Sequence, residues 1–461
     1  MAISLAGSTE TSASKAEDGH IPGAASRPLV QERALNLYQA LEHTAFSSPV
    51  LERGIGTVDK AKAARAGASG AFLPQFDLSM QFSRYVNEGK QATLIGSTVV
   101  QSESAFYGTY AALSSSLNLY SGGRQEAGYR AADSELKAAH EDYENLKVKQ
   151  FSKVLEDYAA LLKAQEEYRS LLYLEELYVS LEEATQKAYQ RGIASRLDIG
   201  NARLQSGKRH QQALQQLTTL ESKAGQLAVS IGLELPEKER LQAADSLPPP
   251  PALPEIKATP STDETLAEHP ALRAAQQRVE AARNKISAAR GMFLPKVDLV
   301  GNYNWSGRDN ASASNAVDAT KANSYSFGLL VQQHLPPFTG ETTALQTAQA
   351  ELREAEAQLK ETRLGLLNAK KQALAEFAQA RRSLDIARQA EKEADEALML
   401  HRARRQHGRS DEQTYTEAQA NAVQRRLERF FQETNYRLIG WAAQALLSPR
   451  HYLEILRNKL Q

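Results

Sequence analysis

The chain has no cysteine, and proline is sparse: 16 in 461 residues. Without cysteine there are no disulfides, no thiolate zinc sites and no thiol nucleophile, and no N-terminal cysteine to carry a lipid. An excess of charge is missing too. The 55 basic and 55 acidic side chains give a formal net charge near zero, whereas broad nucleic-acid binding needs a basic surface. No apolar run reaches the ~18 residues of a membrane-spanning helix. The first 25 residues are rich in Ser, Ala and Gly and lack the apolar core of a secretory leader, which taken alone favours a cytosolic chain. Catalytic motifs are absent as well. The nine histidines form no His-x-x-x-His or His-Glu-x-x-His pair, and Gly122-Gly123 is a turn with no Lys-Ser after it. The acidic residues lie on helical faces beside Lys and Arg, an ordinary solvated arrangement. No catalytic, cofactor or metal residue is assigned, and an enzyme is not expected.

What the chain does contain is an internal duplication. Gly70-Ala71-Phe72-Leu73-Pro74-Gln75-Phe76-Asp77-Leu78 returns as Gly291-Met292-Phe293-Leu294-Pro295-Lys296-Val297-Asp298-Leu299. After each copy come an alternating stretch, a polar loop, a second alternating stretch, a Gly-bearing turn and a very long helical pattern. The unit is half the chain, too long for a solenoid repeat. The expected divisions are an N-terminal segment 1–28, repeat 1 over 29–234, a Pro-rich linker 235–270 containing Pro248-Pro249-Pro250-Pro251, repeat 2 over 271–447, and a C-terminal segment 448–461.

Proline marks out the helices. None occurs between Pro74 and Pro236 or between Pro337 and Pro449. Helical patterns fill about 123–190 and 341–406, each ~100 Å long at 1.5 Å per residue. Each stops near a glycine, Gly192 or Gly408, and shorter patterns return over about 197–231 and 411–447, so each half holds a helical hairpin. Ala373, Ala380, Ala387 and Ala394 recur every seven residues. Ser383, Ala390 and Ala397 form a second such series. Either this is an Ala-rich face of high helix propensity or a close-packed, left-handed supercoiled seam. Two registers keeping one period favour the seam.

Four segments alternate with period two, over about 75–86, 106–120, 296–306 and 324–335. Phe76, Leu78, Met80 and Phe82 are interleaved with Asp77, Ser79, Gln81 and Ser83; Tyr325, Phe327, Leu329 and Val331 repeat the theme in the fourth. The lengths suit tilted strands crossing a bilayer, and aromatics gather at both ends, Tyr85, Phe106, Tyr303 and Trp305 against Phe72, Tyr120, Phe293 and Phe338. A soluble half-buried sheet shows the same alternation in any one hairpin. Its duplication beside giant helices favours the membrane. Four strands cannot close a barrel and open edges are not tolerated in lipid, so a homo-oligomer with a shared barrel is expected.

The paired Phe-Leu-Pro-x-x-Asp-Leu entries carry a resemblance, together with the turns Leu119-Tyr120-Ser121-Gly122-Gly123 and Pro337-Phe338-Thr339-Gly340-Glu341. The tip Tyr189-Gln190-Arg191-Gly192-Ile193-Ala194-Ser195-Arg196-Leu197-Asp198 adds to it. With these, the chain resembles the TolC family of outer-membrane channels over about Val30 to Leu447. The resemblance implies an α+β membrane protein: a homotrimer with one shared transmembrane β-barrel, four strands per chain, continued by a long α-helical coiled-coil tunnel. It implies an outer-membrane location in a Gram-negative bacterium reaching into the periplasm, and no nucleic acid. Implied partners are outer-membrane lipid, a periplasmic adaptor protein and an inner-membrane ABC transporter or proton-driven pump. Such a place demands export, and the missing leader is then expected to reflect truncation or a misassigned start.

The resemblance also implies a periplasmic gate. By position after the tip glycine, Thr414 and Glu417 match acidic gate residues, and only Glu417 keeps a carboxylate. Asp198 matches a residue that latches neighbouring helices; Arg405 and Ser410 stand where the family's latch has a Tyr and an Arg. Solvated helix positions are the alternative for Asp198 and Glu417. Gly192, Gly408, Arg191, Arg409 and Asp411 mark the tips and an adaptor contact. The basic cluster there also offsets a helix dipole. Type I protein secretion is preferred to small-molecule efflux because no lipidation cysteine is present. A periplasmic adaptor or a coiled-coil scaffold is the competitor of another class, against which the duplicated strand pairs stand.

Overall fold

The computed structural model describes residues 31–95, 98–236, 239–250, 267–407 and 411–460. The expected N-terminal segment 1–28, linker residues 251–266 and the tip residues Gly408, Arg409 and Ser410 lie outside them.

Elements run in the order of the duplication. Repeat 1 has β1 (Gln31–Leu35), α1 (Leu37–Ser47), α2 (Pro49–Gly70), β2 (Gln75–Ile95), β3 (Thr98–Tyr120), α3 (Arg124–Gln190) and α4 (Arg196–Ile231). After β4 (Glu239–Ala243), repeat 2 has α5 (Pro270–Gly291), β5 (Lys296–Asp309), α6 (Ala313–Asp318), β6 (Lys321–Gln332), α7 (Thr339–Gln406) and α8 (Glu412–Leu447); α9 (Pro449–Leu460) follows. The two long helices have 67 and 68 residues.

β2, β3, β5 and β6 form one antiparallel sheet in that order, so β2 and β6 are its open edges. The first hairpin is longer than its alternation indicates. The stretch between about 86 and 106 reads as a polar loop, but pairing resumes beyond a register shift between Asn87 and Gln91 and runs to Ile95 and Thr98. The β-forming residues Thr93, Leu94 and Ile95 opposite Val100, Val99 and Thr98 support that extension. α6 lies against the sheet through Thr109, whose hydroxyl is 3.0 Å from the Ala316 carbonyl and 2.6 Å from Thr320 Oγ1.

The core lies midway along the long helices, not in the sheet. Leu35, Leu41, Val154, Leu161, Leu227, Ile231, Leu241, Trp441 and Tyr452 form one buried cluster. It joins α3, α4 and α8 to α1, α9 and the small parallel sheet of β1 and β4. Two buried polar groups there, on Tyr158 and Trp441, find backbone acceptors. The Tyr158 hydroxyl donates to a backbone carbonyl, lying 3.0 Å from Asp245 O and 3.3 Å from Leu35 O; Trp441 Nε1–H donates to Pro248 O at 3.1 Å. The proline segment is thereby fixed to the girdle of the helical body.

Candidate functional site

At the first tip, α3 stops because Gly192 takes a left-handed φ of 76°, which costs a residue with a Cβ more than it costs glycine. The last carbonyls are used: Gly192 N–H donates to Tyr189 O at 2.8 Å and Ile193 N–H to Ala188 O at 2.9 Å. Ser195 then caps α4. Its Oγ accepts from the Asp198 N–H, and Asp198 Oδ2 accepts from the Ser195 N–H at 2.8 Å and hydroxyl at 2.7 Å. Those bonds, the backbone one foremost, hold the Asp198 carboxyl below the usual carboxylate range. Asp198 is therefore a charged capping-box residue. Arg191 and Gly192 are exposed beside it, with Ile193 and Leu197 bare to solvent.

At the second tip, α7 ends in Arg404 and Arg405. Asp411 caps α8, accepting from the Thr414 N–H at 3.1 Å, and its hydrogen bonding to Thr414 lowers its carboxyl pKa. Arg405 bridges the two helices: its guanidinium is 2.8 Å from Glu412 Oε2 and lies 4.6 Å from the centre of the Tyr415 ring. The Thr414 side chain is exposed. So is Glu417, whose Oε1 accepts from Gln413 Nε2 at 3.0 Å one turn back. Thus Arg405, Asp411, Thr414 and Glu417 share the second tip, and Asp198 sits on the first. Tyr415 went unnoticed in the sequence. Counting from Gly408 does not single it out, because Arg405 lies three residues before that glycine and Tyr415 seven after it.

Above the tips, side chains join the helices of each hairpin. In the first, Ser206 Oγ donates to Glu182 at 2.5 Å, and His210 Nδ1 meets Glu175 at 2.7 Å. In the second, Arg426–Asp395 at 2.7 Å and Arg429–Glu391 at 2.6 Å lie below a Phe377–Tyr436 ring stack. Ala380, Ala387 and Ala394 are buried on α7, and Ala373, Ser383, Ala390 and Ala397 are half-buried. Small residues thus mark the packed face of this helix.

At the other end, one face of the sheet is apolar from edge to edge. Leu78 stands opposite Leu113, Leu113 opposite Tyr303, and Tyr303 opposite Tyr325. Phe76, Leu78, Met80 and Phe82 on one edge strand are 62–69% exposed; Tyr325, Phe327, Leu329 and Val331 on the other are 64–80% exposed. Bare rows of this size on both edge strands are far more than a soluble monomer leaves uncovered. Aromatic pairs cluster at the two ends: Tyr85–Phe106 and Tyr303–Trp305 at one, Phe293–Phe338 at the other. Among the described residues no group of three His, Asp or Glu is placed to hold a metal, and no helix is long and apolar enough to cross a membrane.

A family model described as "Outer membrane efflux protein" matches residues 40–233 and 262–437. No curated protein matches the chain by sequence. Among solved structures it is similar to the Campylobacter jejuni CmeC outer membrane channel (TM-score 0.73, 17% identity, 92% of this chain and 89% of that one). It is also similar to a membrane protein from Pseudomonas aeruginosa (0.70, 19%, 89% and 93%) and to the outer membrane protein VceC of Vibrio cholerae (0.68, 18%, 89% and 95%). At such identities these likenesses show the fold: helical tunnel and β domain, built from two repeats.

Proposed function

Because the chain belongs to the outer membrane efflux protein family, we propose that it is the passive outer-membrane duct of a tripartite export system. It is an outer-membrane protein extending into the periplasm. Members of the family are homotrimeric channels, not enzymes, and work with periplasmic adaptors and inner-membrane pumps. The observation that carries the proposal is the exposed apolar face shared by all four strands, bounded by two unpaired edges and attached to 67- and 68-residue helices. Lipid leaves no water to satisfy edge N–H and C=O groups, so copies must pair. The helices then continue the pore, and energy comes from the inner-membrane pump.

Type I protein secretion with an ABC transporter is the narrower form of this proposal. The family description supports efflux, and small-molecule efflux is the alternative form. The gate is assigned to the second tip, with Glu417 as the carboxylate ring, Thr414 as an uncharged neighbour and Arg405 fixing the hairpin's end. Asp198 belongs to the first tip, and Arg191, Gly192 and Asp411 to the surface an adaptor meets. Deleting the gene and following both secreted protein and intracellular dye separates the cases. Lost extracellular protein with normal dye levels supports secretion, and dye accumulation alone supports efflux. No change in either would remove the export role.

A further inference from the structure

Alternation gives the sheet a second face. Ser79, Gln81, Ser114, Ser116, Asn302 and Asn304 point away from the apolar row, because neighbours along a strand take opposite sides. Hydrogen bonds run across this face: the Tyr110 hydroxyl donates to Asn304 Oδ1 at 3.0 Å, and Asn304 Nδ2 donates to Ser324 Oγ at 3.1 Å. In the shared barrel proposed above the apolar row meets lipid, so the polar face lines the lumen.

Towards the end of the sheet remote from the helices, the polar face carries an aromatic stack. Tyr85 stands opposite Phe106, with ring centres 4.8 Å apart and planes within 23°. The Arg308 guanidinium lies 3.7 Å from the centre of the Phe106 ring. Gly108 stands opposite Arg308, and a Cβ there would lie 3.3 Å from the Tyr85 ring and 3.5 Å from the Phe106 ring. The bare glycine thus keeps the approach to the stack open. By strand parity Tyr85, Phe106 and Arg308 all belong to the polar face, whereas Leu78, Leu113 and Tyr303 belong to the other. The stack shares an end of the sheet with Tyr303 and Trp305 but not their lipid-facing side.

We propose that Arg308, repeated around the lumen, forms an oxyanion-binding ring at the outer mouth of the channel, which takes the carboxylate or phosphate groups of departing cargo. The proposal rests on the trimeric duct above and adds a selectivity element at its exit. A guanidinium stacked on an aromatic ring, within the ~6 Å of a cation–π contact, keeps its fork of N–H donors free at the edge. That fork matches a carboxylate or phosphate in two parallel hydrogen bonds. Arg308 is exposed, and Lys321, opposite Ser306, adds a second exposed cation to the same face. Among the described residues, the carboxylates of this face are Asp77 and Asp298, at the helix end of the strands. Asp309 follows Arg308 in sequence but stands on the apolar face, where it accepts from the Ala311 and Ser312 N–H groups at 2.7 and 2.9 Å. The charge of the ring is therefore left for a ligand. A trimer of four-stranded sheets encloses a lumen wider than an ~8-stranded barrel, which side chains fill, and narrower than a ~16-stranded porin. A ring of cations there acts on whatever passes.

Planar-bilayer recording of the full-length trimer tests this, with inorganic phosphate as the blocking probe in a constant chloride background. Arg308→Gln is expected to raise the phosphate concentration for half-block several-fold. Phe106→Leu, which keeps the charge and removes the platform, should raise it by less. Arg84→Gln removes a cation near the same end, beside Tyr107 on the apolar face, and should leave the block as it is. The cysteine-free chain allows rescue after assembly. Arg308→Cys should be weakly blocked, and should regain block on reaction with a positively charged methanethiosulfonate but not with a neutral one. Conducting channels in which Arg308→Gln is blocked like the parent, or in which Arg84→Gln loses as much block, overturn the ring and leave the duct standing. A parent that forms no channel overturns the duct and the ring together.

Discussion

Leu117 and Leu299 stand directly opposite each other on the apolar face of the sheet, and Leu299 faces Leu329 on its other side. A cation placed in that row has no counter-charge and no water. Leu299→Arg is expected to impair assembly, with a cost of ~2–4 kcal/mol if the site lies near the bilayer midplane. Ser116→Arg, on the opposite face, should be milder. Asp298 is an unsuitable control on that face, because it is buried and lies 2.7 Å from both Asn118 Nδ2 and Lys296 Nζ. Yield of heat-modifiable trimer measures the effect, and equal loss from both faces would refute the assigned lipid face.

Ala387 is buried at 5% exposure, one residue from Ile386 at 71%. Ala387→Leu leaves helix propensity almost unchanged but forces three extra carbons into a closed interface. About 1–3 kcal/mol of destabilisation is expected. Ile386→Ala, on the open side, should cost little in an isolated hairpin. A trimer whose melting temperature is unmoved by Ala387→Leu would show that this face has room.

His269 caps α5, its Nδ1 accepting from the Ala271 N–H at 3.2 Å. Burial, then the charge of Lys149, pushes its pKa down from 6.5 to about 4. The depressed value means that the unfolded chain binds the proton more readily. Stability associated with neutral His269 is therefore full above pH 6.5 and falls as pH drops towards 4, by roughly 1 kcal/mol at pH 5.5. His269→Asn keeps a capping acceptor without a titrating group. Melting temperatures between pH 7.5 and 5 should decline less in the variant; parallel declines would exonerate His269.

Glu417 is exposed, and its Oε1 accepts from the Gln413 amide. If three copies converge at the entrance, they form a ring that favours cations and binds divalent ions, because charges confined in a narrow pore are weakly screened. Planar-bilayer recordings of Glu417→Ala should show reduced cation selectivity and weaker divalent block. Unchanged selectivity would return Glu417 to an ordinary solvated helix.

The duplication, the long helices and the strand faces were legible because each rests on a periodic pattern. β1 and β4 were not. Gln31-Glu32-Arg33-Ala34-Leu35 and Glu239-Arg240-Leu241-Gln242-Ala243 are short and polar, and they pair across about two hundred residues of chain. α6 is six residues long and makes no periodic signal. At the tips, position relative to the glycines located Arg405, Thr414 and Glu417. It said nothing of the Asp198 capping bonds or the Tyr415 ring under Arg405, because both depend on which rotamer reaches across the turn.

α7 runs 68 residues with no proline. Without proline the helix carries no imposed kink. It behaves as a lever about 100 Å long, pivoted where the strands hand over to the helices. Swinging its tip sideways by about 10 Å needs a tilt of only about 6° at the pivot. Opening an entrance at the far end therefore asks almost nothing of the lipid-facing sheet. The force to do so is least when applied at the tip, next to Arg405 and Glu412.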